Sequence, residues 1–317
     1  MDLFEYTYNL VRQIPEGKIS SYGAVAEALG DKIASRAVGH MMNQNPNADT
    51  MPCFRIVHSN GKIGGFGLGI DDKIRRLNED NILVKDKKIV DFKNIIYKDF
   101  KTSYPLKKLR EEQINLSKKV NLKDTFSEIK TVAGFDVAYP KSEFDNACGA
   151  CIVMDYKTKK IIEKKTILWQ TNFPYISTYL FYREFPVINE LINILKSDPT
   201  VILFDGNGIL HPYGIGIATQ TGIKLNKPSI GVAKSLLYGE IKGNTVKIDN
   251  EKKGFLFYSS KKLKKPIYIS PGNNISFETC LKIVKNLAIY KIPEPLRQAH
   301  ILAKKTLKTK IKEYYSI

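Results

Sequence analysis

Three carboxylates stand in surroundings suited to chemistry on phosphates. Asp136 lies in VAGFDVAY, Glu184 in FPYISTYLFYREFP and Asp205 in VILFDGNGILHP. Asp136 and Asp205 each end or interrupt an apolar run that reads as a buried strand. Glu184 follows an aromatic-rich stretch and opens a helical pattern. Single acids delivered to one place by separate elements suit a hard divalent cation, which takes oxygen ligands. Such an ion can hold and activate the water that attacks a phosphodiester. Taken singly, an Asp after a strand is most often a turn or cap residue. The segments around the three acids are what give them meaning together.

The elements that must position these residues fall into two groups. At 317 residues the chain is long enough for two ordinary domains. Over the first ~90 residues the elements are short. A helix is expected through LFEYTYNLVRQI. A second, YGAVAEAL, is capped by Ser20 or Ser21 and stopped by Gly30, and a third, ASRAVGHMM, follows closely. Two short helices joined by a tight turn resemble a helix-turn-helix, a common way to set a helix against DNA. Residues 85–104 are charged and weakly periodic, a linker or edge hairpin, and 106–126 reads as one amphipathic helix. From 131 on, TVAGFDVAY, ACGACIVMDY and KIIEKKTILWQ predict a three-stranded antiparallel meander. A helix around 178–197, the strand VILFDG, the strands IGVAKS, GFLFYSS and PIYISPG, and helices at 276–289 and 295–310 complete the order. This is the element order of a ribonuclease H-like mixed α/β sheet flanked by helices. Its first and fourth strands lie side by side, which brings Asp136 and Asp205 together at one sheet edge. GGFGLG at 64–69 lacks the spacing of a dinucleotide loop and reads as a flexible loop over a site.

Composition narrows the partners. Lys plus Arg number 50 against 32 Asp plus Glu, a formal charge of +18, which favours polyanions through counterion release. KKLKKP at 261–266 is the densest basic cluster. No run of 18 apolar residues is present, so no membrane span is expected, and the start has no signal-peptide pattern. Of the four cysteines, Cys148 and Cys151 sit three apart on one expected strand and so point to opposite faces, unsuited to a shared metal or a disulfide. The expectation is a reducing, cytoplasmic setting.

Residues 104–317 resemble the endonuclease V family, metal-dependent nucleases that incise DNA near deaminated adenine. The resemblance is carried in order by AGFDVAY, FPYISTYLFYREFP, LFDGNGILHPYGIGIAT, KPSIGVAKSLLYG, PIYISPGNNIS and IPEPLRQAH. It implies Mg²⁺, with Mn²⁺ as a substitute, held by Asp136, Glu184 and Asp205, with His300 as an outer ligand. It places Lys234 near the scissile phosphate. It makes Pro174, Tyr175 and Ile176 a strand-separating wedge, and Gly206, Gly208 and His211 the loop of the base pocket. Ser177 stands where the family wedge ends in Pro. Asn207, Tyr213 and Gln220 stand where the family more often has His, Arg and His, a change expected to bear on phosphate or base contacts.

Residues 1–92 resemble the active-site domain of O6-alkylguanine-DNA alkyltransferases, which is mostly α and winged-helix-like. The carriers are IPEGKISSYGAVAEALG, SRAVGHMMNQNP, MPCFRIV and GKIGGFGLG. By that resemblance Tyr22 helps rotate the damaged nucleotide out, Arg36 fills the vacated stack, Asn45 is the hinge asparagine and Cys53 takes the alkyl group. The base must leave the duplex because its O6 is otherwise out of reach. Phe54 stands where the family has the His that relays a proton from the Cys to a Glu, and Asp80 occupies the Glu position. A free thiol near pKa ~8.5 is only a few per cent thiolate at neutral pH. Activation would then come from a helix terminus, from a nearby cation such as Arg55, or from His40 or His58.

The expected partners are therefore DNA containing deoxyinosine or O6-alkylguanine, with residues 93–103 as linker. Three rival readings are a front half that senses alkylated guanine without repairing it, an inosine-specific RNA endonuclease, and a binding module with dead sites.

Overall fold

The computed structural model describes residues 1–140, 146–260 and 264–315; the basic cluster at 261–266 begins outside them. The chain forms two compact units, Met1–Glu111 with Asn172–Ser177, and Glu112–Thr171 with Thr178–Ile317.

In the first unit, helix α1 (Leu3–Val11) starts where the Asp2 carboxylate accepts the Glu5 amide at 3.0 Å. Strand β1 (Ser20–Ser21) runs into α2 (Tyr22–Leu29), where Ser21 Oγ accepts the Ala24 amide at 3.0 Å. Gly30, at φ 103°, ends that helix in the left-handed region. Helix α3 (Ser35–Asn43) follows a 3₁₀ turn at Lys32–Ala34. A second 3₁₀ turn, Cys53–Arg55, leads into β2 (Ile56–Val57), which pairs parallel with β1. Helix α4 (Ile70–Glu79), the hairpin β3 (Val84–Lys85) and β4 (Lys88–Ile89), and the short α5 (Phe92–Ile95) complete the unit. The stretch expected as a linker runs along this unit. Ile96 bridges to Ile19, Ser20 Oγ donates to the Tyr97 carbonyl at 2.9 Å, and the Lys101 amide donates to Gln13 Oε1 at 2.7 Å.

Helix α6 (Pro105–Ser117) stops short of the expected residue 126. Beyond it, the Asn121 amide donates to Asn273 Oδ1 at 2.9 Å and Asn121 Nδ2 to Asn274 Oδ1 at 3.0 Å. Side-chain bonds of this kind give the backbone an alternative to helix.

The second unit is built on one nine-stranded sheet. Strands β5 (Thr131–Ala138), β6 (Ala147–Asp155) and β7 (Ile161–Trp169) form the expected meander. Helix α7 (Leu180–Asn193) precedes β8 (Val201–Phe204), and α8 (Ile217–Leu225) precedes β9 (Ser229–Ala233). Strands β10 (Glu240–Lys242), β11 (Thr245–Ile248), β12 (Glu251–Phe257) and β13 (Ile267–Pro271), then α9 (Phe277–Leu287) and α10 (Glu294–Tyr315), finish the chain. The strand order is β10-β11-β12-β13-β9-β8-β5-β6-β7, with β8 parallel to both β5 and β9. The first and fourth strands of the unit are neighbours, as expected, but they lie inside the sheet. Strands β9 to β13 continue it beyond β8, so Asp136 and Asp205 stand at the C-terminal ends of central strands, not at a sheet edge.

Alternation along the strands splits the core. Val132, Leu203, Ile230 and Val232 pack with Ile283, Val284 and Leu287 of α9 and Leu296 of α10. Ala133, Phe135, Ile202 and Phe204 pack with Ile188 and Leu191 of α7 and Ile217 of α8. Cys148 joins a cluster with Ala303 and Leu307, and Cys151 joins the α7 side, so the pair does point to opposite faces. All four cysteines are buried and free.

Candidate active sites

Asp136 follows Val132 and Gly134 on the β5 face that meets α10. A Cβ on Gly134 would lie inside the backbone of Pro295 and Leu296. Glycine at 134 thus lets α10 approach β5, and Leu296, His300, Ala303 and Leu307 share the helix stripe that results. His300 Nδ1 lies 3.1 Å from Asp136 Oδ2. Asp205 leaves the end of β8, and the parallel β9 carries Lys234 beside it, where the ammonium donates to Asp205 Oδ2. Glu184 comes from the second turn of α7. It accepts from the Tyr139 hydroxyl at 3.4 Å, and the buried Arg183 guanidinium stacks over the Tyr139 ring at 4.0 Å.

The electrostatics show that the acids converge. Burial pushes Glu184 up to about 8, with the charges of Asp136 and Asp205 adding to the rise. Burial and Asp205 likewise raise Asp136, while His300 and Lys234 oppose the rise. Among the described residues, no three His, Cys, Asp or Glu side chains are gathered closely enough to hold an ion as they stand. Lys234 and His300 occupy two of the carboxylates instead. Hard oxygen donors with excess negative charge fit a divalent cation in chemistry.

The loop after Asp205 is tightly packed. A Cβ on Gly208 would overlap the Pro271 carbonyl, and one on Gly206 would press on Ile217. His211 is buried, and its Nδ1 accepts the Tyr213 amide at 3.3 Å. The side-chain oxygen of Asn207 is buried with no hydrogen-bond partner among the described residues. Gln220 is wholly buried. It accepts from Gln113 Nε2 at 3.3 Å and donates to the Tyr182 hydroxyl at 3.1 Å, and Gln113 also donates to the Thr178 carbonyl at 3.0 Å. Gln220, which stands where the family more often has His, is thus bonded within the unit, and its partner Gln113 holds the turn at Thr178, whose φ is 70°.

In the first unit, Asn172 accepts the Leu3 amide at 2.9 Å, Pro174 and Ile176 are buried, and Tyr175 is 62% exposed. Cys53 is buried at the start of its 3₁₀ turn, with Asn45 Nδ2 at 3.5 Å from the sulfur. Arg36 is exposed on α3. Tyr22 starts α2, its ring 5.3 Å from that of His58. Arg55 does not serve Cys53: its Nε donates to Asp80, and its Nη1 donates to the Ile14 carbonyl at 2.8 Å. The acid at the relay position is thereby engaged. The 64–69 loop is held at Gly65 by the buried Lys73 ammonium, 3.3 Å from that carbonyl.

Tyr139, Arg183, Gln113 and Lys73 were not singled out from sequence. Lys73 left one signal, since with Ile70, Ile74 and Leu77 it falls on the apolar stripe of α4.

An acid-lined centre at the C-terminal ends of parallel strands in one unit, and a buried thiol in the other, define a two-part enzyme acting on nucleic acid. Residues 114–301 match the family described as Endonuclease V, and residues 2–82 match the 6-O-methylguanine DNA methyltransferase, DNA binding domain. A protein of Picrophilus torridus named bifunctional methyltransferase/endonuclease is 42% identical over 300 residues, 95% of each chain. One of Nanoarchaeum equitans, named bifunctional methyltransferase-like/endonuclease, is 33% identical over 93% of this chain and 88% of its own length. The crystal structure of Ciona intestinalis endonuclease V, in complex with DNA containing an inosine followed by a ribo-adenosine, aligns with TM-score 0.62 at 32% identity. The alignment covers 66% of this chain and 99% of that one. The chain belongs to the endonuclease V family, as a DNA-repair enzyme that joins such a nuclease to an alkyltransferase domain. Among the described residues, no helix is long and apolar enough to cross a membrane.

Proposed function

We propose that this enzyme incises DNA near deoxyinosine with a divalent metal, Mg²⁺ or Mn²⁺, and takes alkyl groups from O6-alkylguanine onto Cys53. The observation that carries the first activity is the mutual repulsion of Asp136, Glu184 and Asp205, which Lys234 and His300 offset only in part, since Glu184 and Asp136 both stay raised. Asp136, Glu184 and Asp205 would hold the ion, with His300 at its outer side. When bound, such an ion supplies an activated water and charge neutralisation at the phosphate. Lys234, bonded to Asp205 as the structure stands, would meet the scissile phosphate once it leaves that carboxylate. Tyr175, exposed between buried Pro174 and Ile176, offers a stacking face as the wedge. Gly206, Gly208 and His211 shape the base pocket, and the unpaired Asn207 oxygen gives it an acceptor. On the other unit Tyr22, Arg36 and Asn45 extrude the guanine and present it to Cys53. The nuclease sheet is read as ribonuclease H-like, supported by the meander β5–β7 followed by the parallel β8. The front half is read as winged-helix-like, supported by α2, α3 and the β3–β4 hairpin. Domain limits of 1–92 and 104–317, with 93–103 between them, belong to the same reading. So does a cytoplasmic location, supported by four buried free cysteines.

One experiment tests both activities. Purified protein is incubated with a deoxyinosine duplex and with an O6-methylguanine duplex, with and without Mg²⁺. Cleavage should need the metal, and a methyl should appear on the Cys53 peptide without it. A sensor reading of the front half is favoured by Phe54 and by the engagement of Asp80 with Arg55. Tight binding of alkylated DNA with no mass shift at any pH would decide for it. The ribo-adenosine in the Ciona complex favours an RNA reading, which faster cutting of inosine RNA than of DNA would establish.

A further inference from the structure

Thr178 stands in a backbone conformation that its side chain disfavours. Its φ is 70°, in the left-handed region, where a β-branched residue is an outlier and glycine is at ease. Such a conformation persists only where its surroundings hold it. Thr178 follows directly on Ser177, which has no ring to stiffen the chain, and it comes two residues before α7 begins at Leu180.

Gln113 of α6 is the group that holds it. That residue is only 1% exposed, and its Nε2 donates to the Thr178 carbonyl at 3.0 Å and to Gln220 Oε1 at 3.3 Å. The bonds continue beyond this pair. Gln220 Nε2 donates to the Tyr182 hydroxyl at 3.1 Å, and that hydroxyl donates to Glu112 Oε2 at 3.1 Å. Glu112 Oε1 accepts from the Lys224 ammonium at 2.7 Å. Residues of α6, α7 and α8 are thus tied together behind one peptide group. Buried amides must keep their partners, so the network resists any turn of Thr178 away from Gln113.

We propose that Gln113 is a positioning residue for strand separation. It holds the left-handed turn at Thr178, anchors the C-terminal base of the wedge, and supplies the stiffness that Ser177 does not. This rests on reading Pro174, Tyr175 and Ile176 as the wedge. A stacking ring on a loose loop loses in ordering what it gains in contact with a base. Gln113 acts through the turn, not on the phosphate.

In the full-length protein, Gln113→Leu keeps the bulk and removes the bonds, while Thr178→Gly relieves the strain that the bonds restrain. Cleavage of inosine in a duplex is compared with cleavage of the same strand alone, which needs no separating. Gln113→Leu should lower the duplex-to-single-strand ratio of kcat/KM about tenfold, with Mn²⁺ affinity unchanged. Adding Thr178→Gly should restore the ratio to within about threefold of wild type, since glycine accepts this φ unaided. A general loosening would slow both substrates alike; that result overturns the proposal, as does an unchanged ratio in folded Gln113→Leu or a double variant no better than the single one. Where Gln113→Leu does not fold, Tyr182→Phe replaces it. Losing the hydroxyl that Gln220 holds should lower the ratio about threefold, and an unchanged ratio again overturns the proposal. Tyr175→Ala separates the two readings: if it leaves the ratio unchanged while Gln113→Leu lowers it, the wedge reading fails and the hold on the turn stands. If the wild type cuts no inosine DNA, the nuclease reading fails. Amide exchange of the peptide 172–179 then decides: about tenfold quickening in the variant supports the hold, and unchanged exchange overturns it.

Discussion

Crowded negative charge makes residue-scale chemistry here sensitive to pH and to metal. Asp136→Ala and Asp205→Ala should each cut inosine-directed cleavage by at least about a hundredfold, because metal-derived stabilisation is worth several kcal/mol. Near wild-type cleavage by Asp136→Ala would sink the assignment. His300→Ala acts through Asp136 and should weaken Mn²⁺ binding by about 10–100-fold, measured by calorimetry. Glu184 supplies a pH dependence. Folded, it holds its proton up to about 8, whereas unfolded it ionises near pH ~4.3. The folded state therefore binds the extra proton between these values, and stability without metal should fall as pH rises through that window. Metal binding must expel the proton, so Mn²⁺ affinity should rise about tenfold per pH unit below 8 and level off above it. A flat affinity from pH 6 to 8 would contradict a protonated Glu184. Tyr175→Ala should lower discrimination for inosine by roughly 1–3 kcal/mol, the worth of stacking one base, with Mn²⁺ affinity unchanged. Asp136 and Asp205 were legible in the sequence because apolar runs before them announce strands, and the parallel pairing of those strands follows from element order. Lys73 was not. Among DDKIRRLNED a lysine reads as part of a solvated face, and its burial depends on the carbonyls of Ile56 and Gly65, which only the tertiary fold supplies.

Among the elements, the approach of α10 to β5 is the contact on which the nuclease centre depends. Gly134→Val should force the helix away, destabilise the protein by about 1–3 kcal/mol as overpacking does, and break the His300–Asp136 contact. Differential scanning calorimetry and the Mn²⁺ affinity together check this; a stable variant that binds Mn²⁺ normally would show that α10 adjusts freely. Helices with a polar cap and a glycine stop, such as α2, were readable from local chemistry. Helix α8 was missed because Gly216 offers no side-chain cap and its start carries no acid. Strands β10 and β11 were missed because GEIKGNTVKI mixes charges and turn residues, and the two strands are fixed by pairing onto β12 rather than by their own pattern.

For the molecule as a whole, the formal charge of +18 predicts binding to DNA that weakens steeply with salt, on undamaged duplex as well as on lesions. Fluorescence anisotropy across a salt series should give a negative log–log slope for both, with lesion affinity offset above non-specific affinity. The parallel pairing of β5 with β8 sets a second global property. It joins Val132 to Val201. That closure is non-local, while the β5–β6–β7 meander is local, so the two acids meet late along the folding path. An ion held between them stabilises interactions absent from the transition state and acts on the unfolding rate. Mn²⁺ should slow unfolding in denaturant jumps and leave the refolding rate unchanged; faster refolding with Mn²⁺ would mean the strands pair early. The lifetime of the folded enzyme is then set partly by the free divalent ion around it.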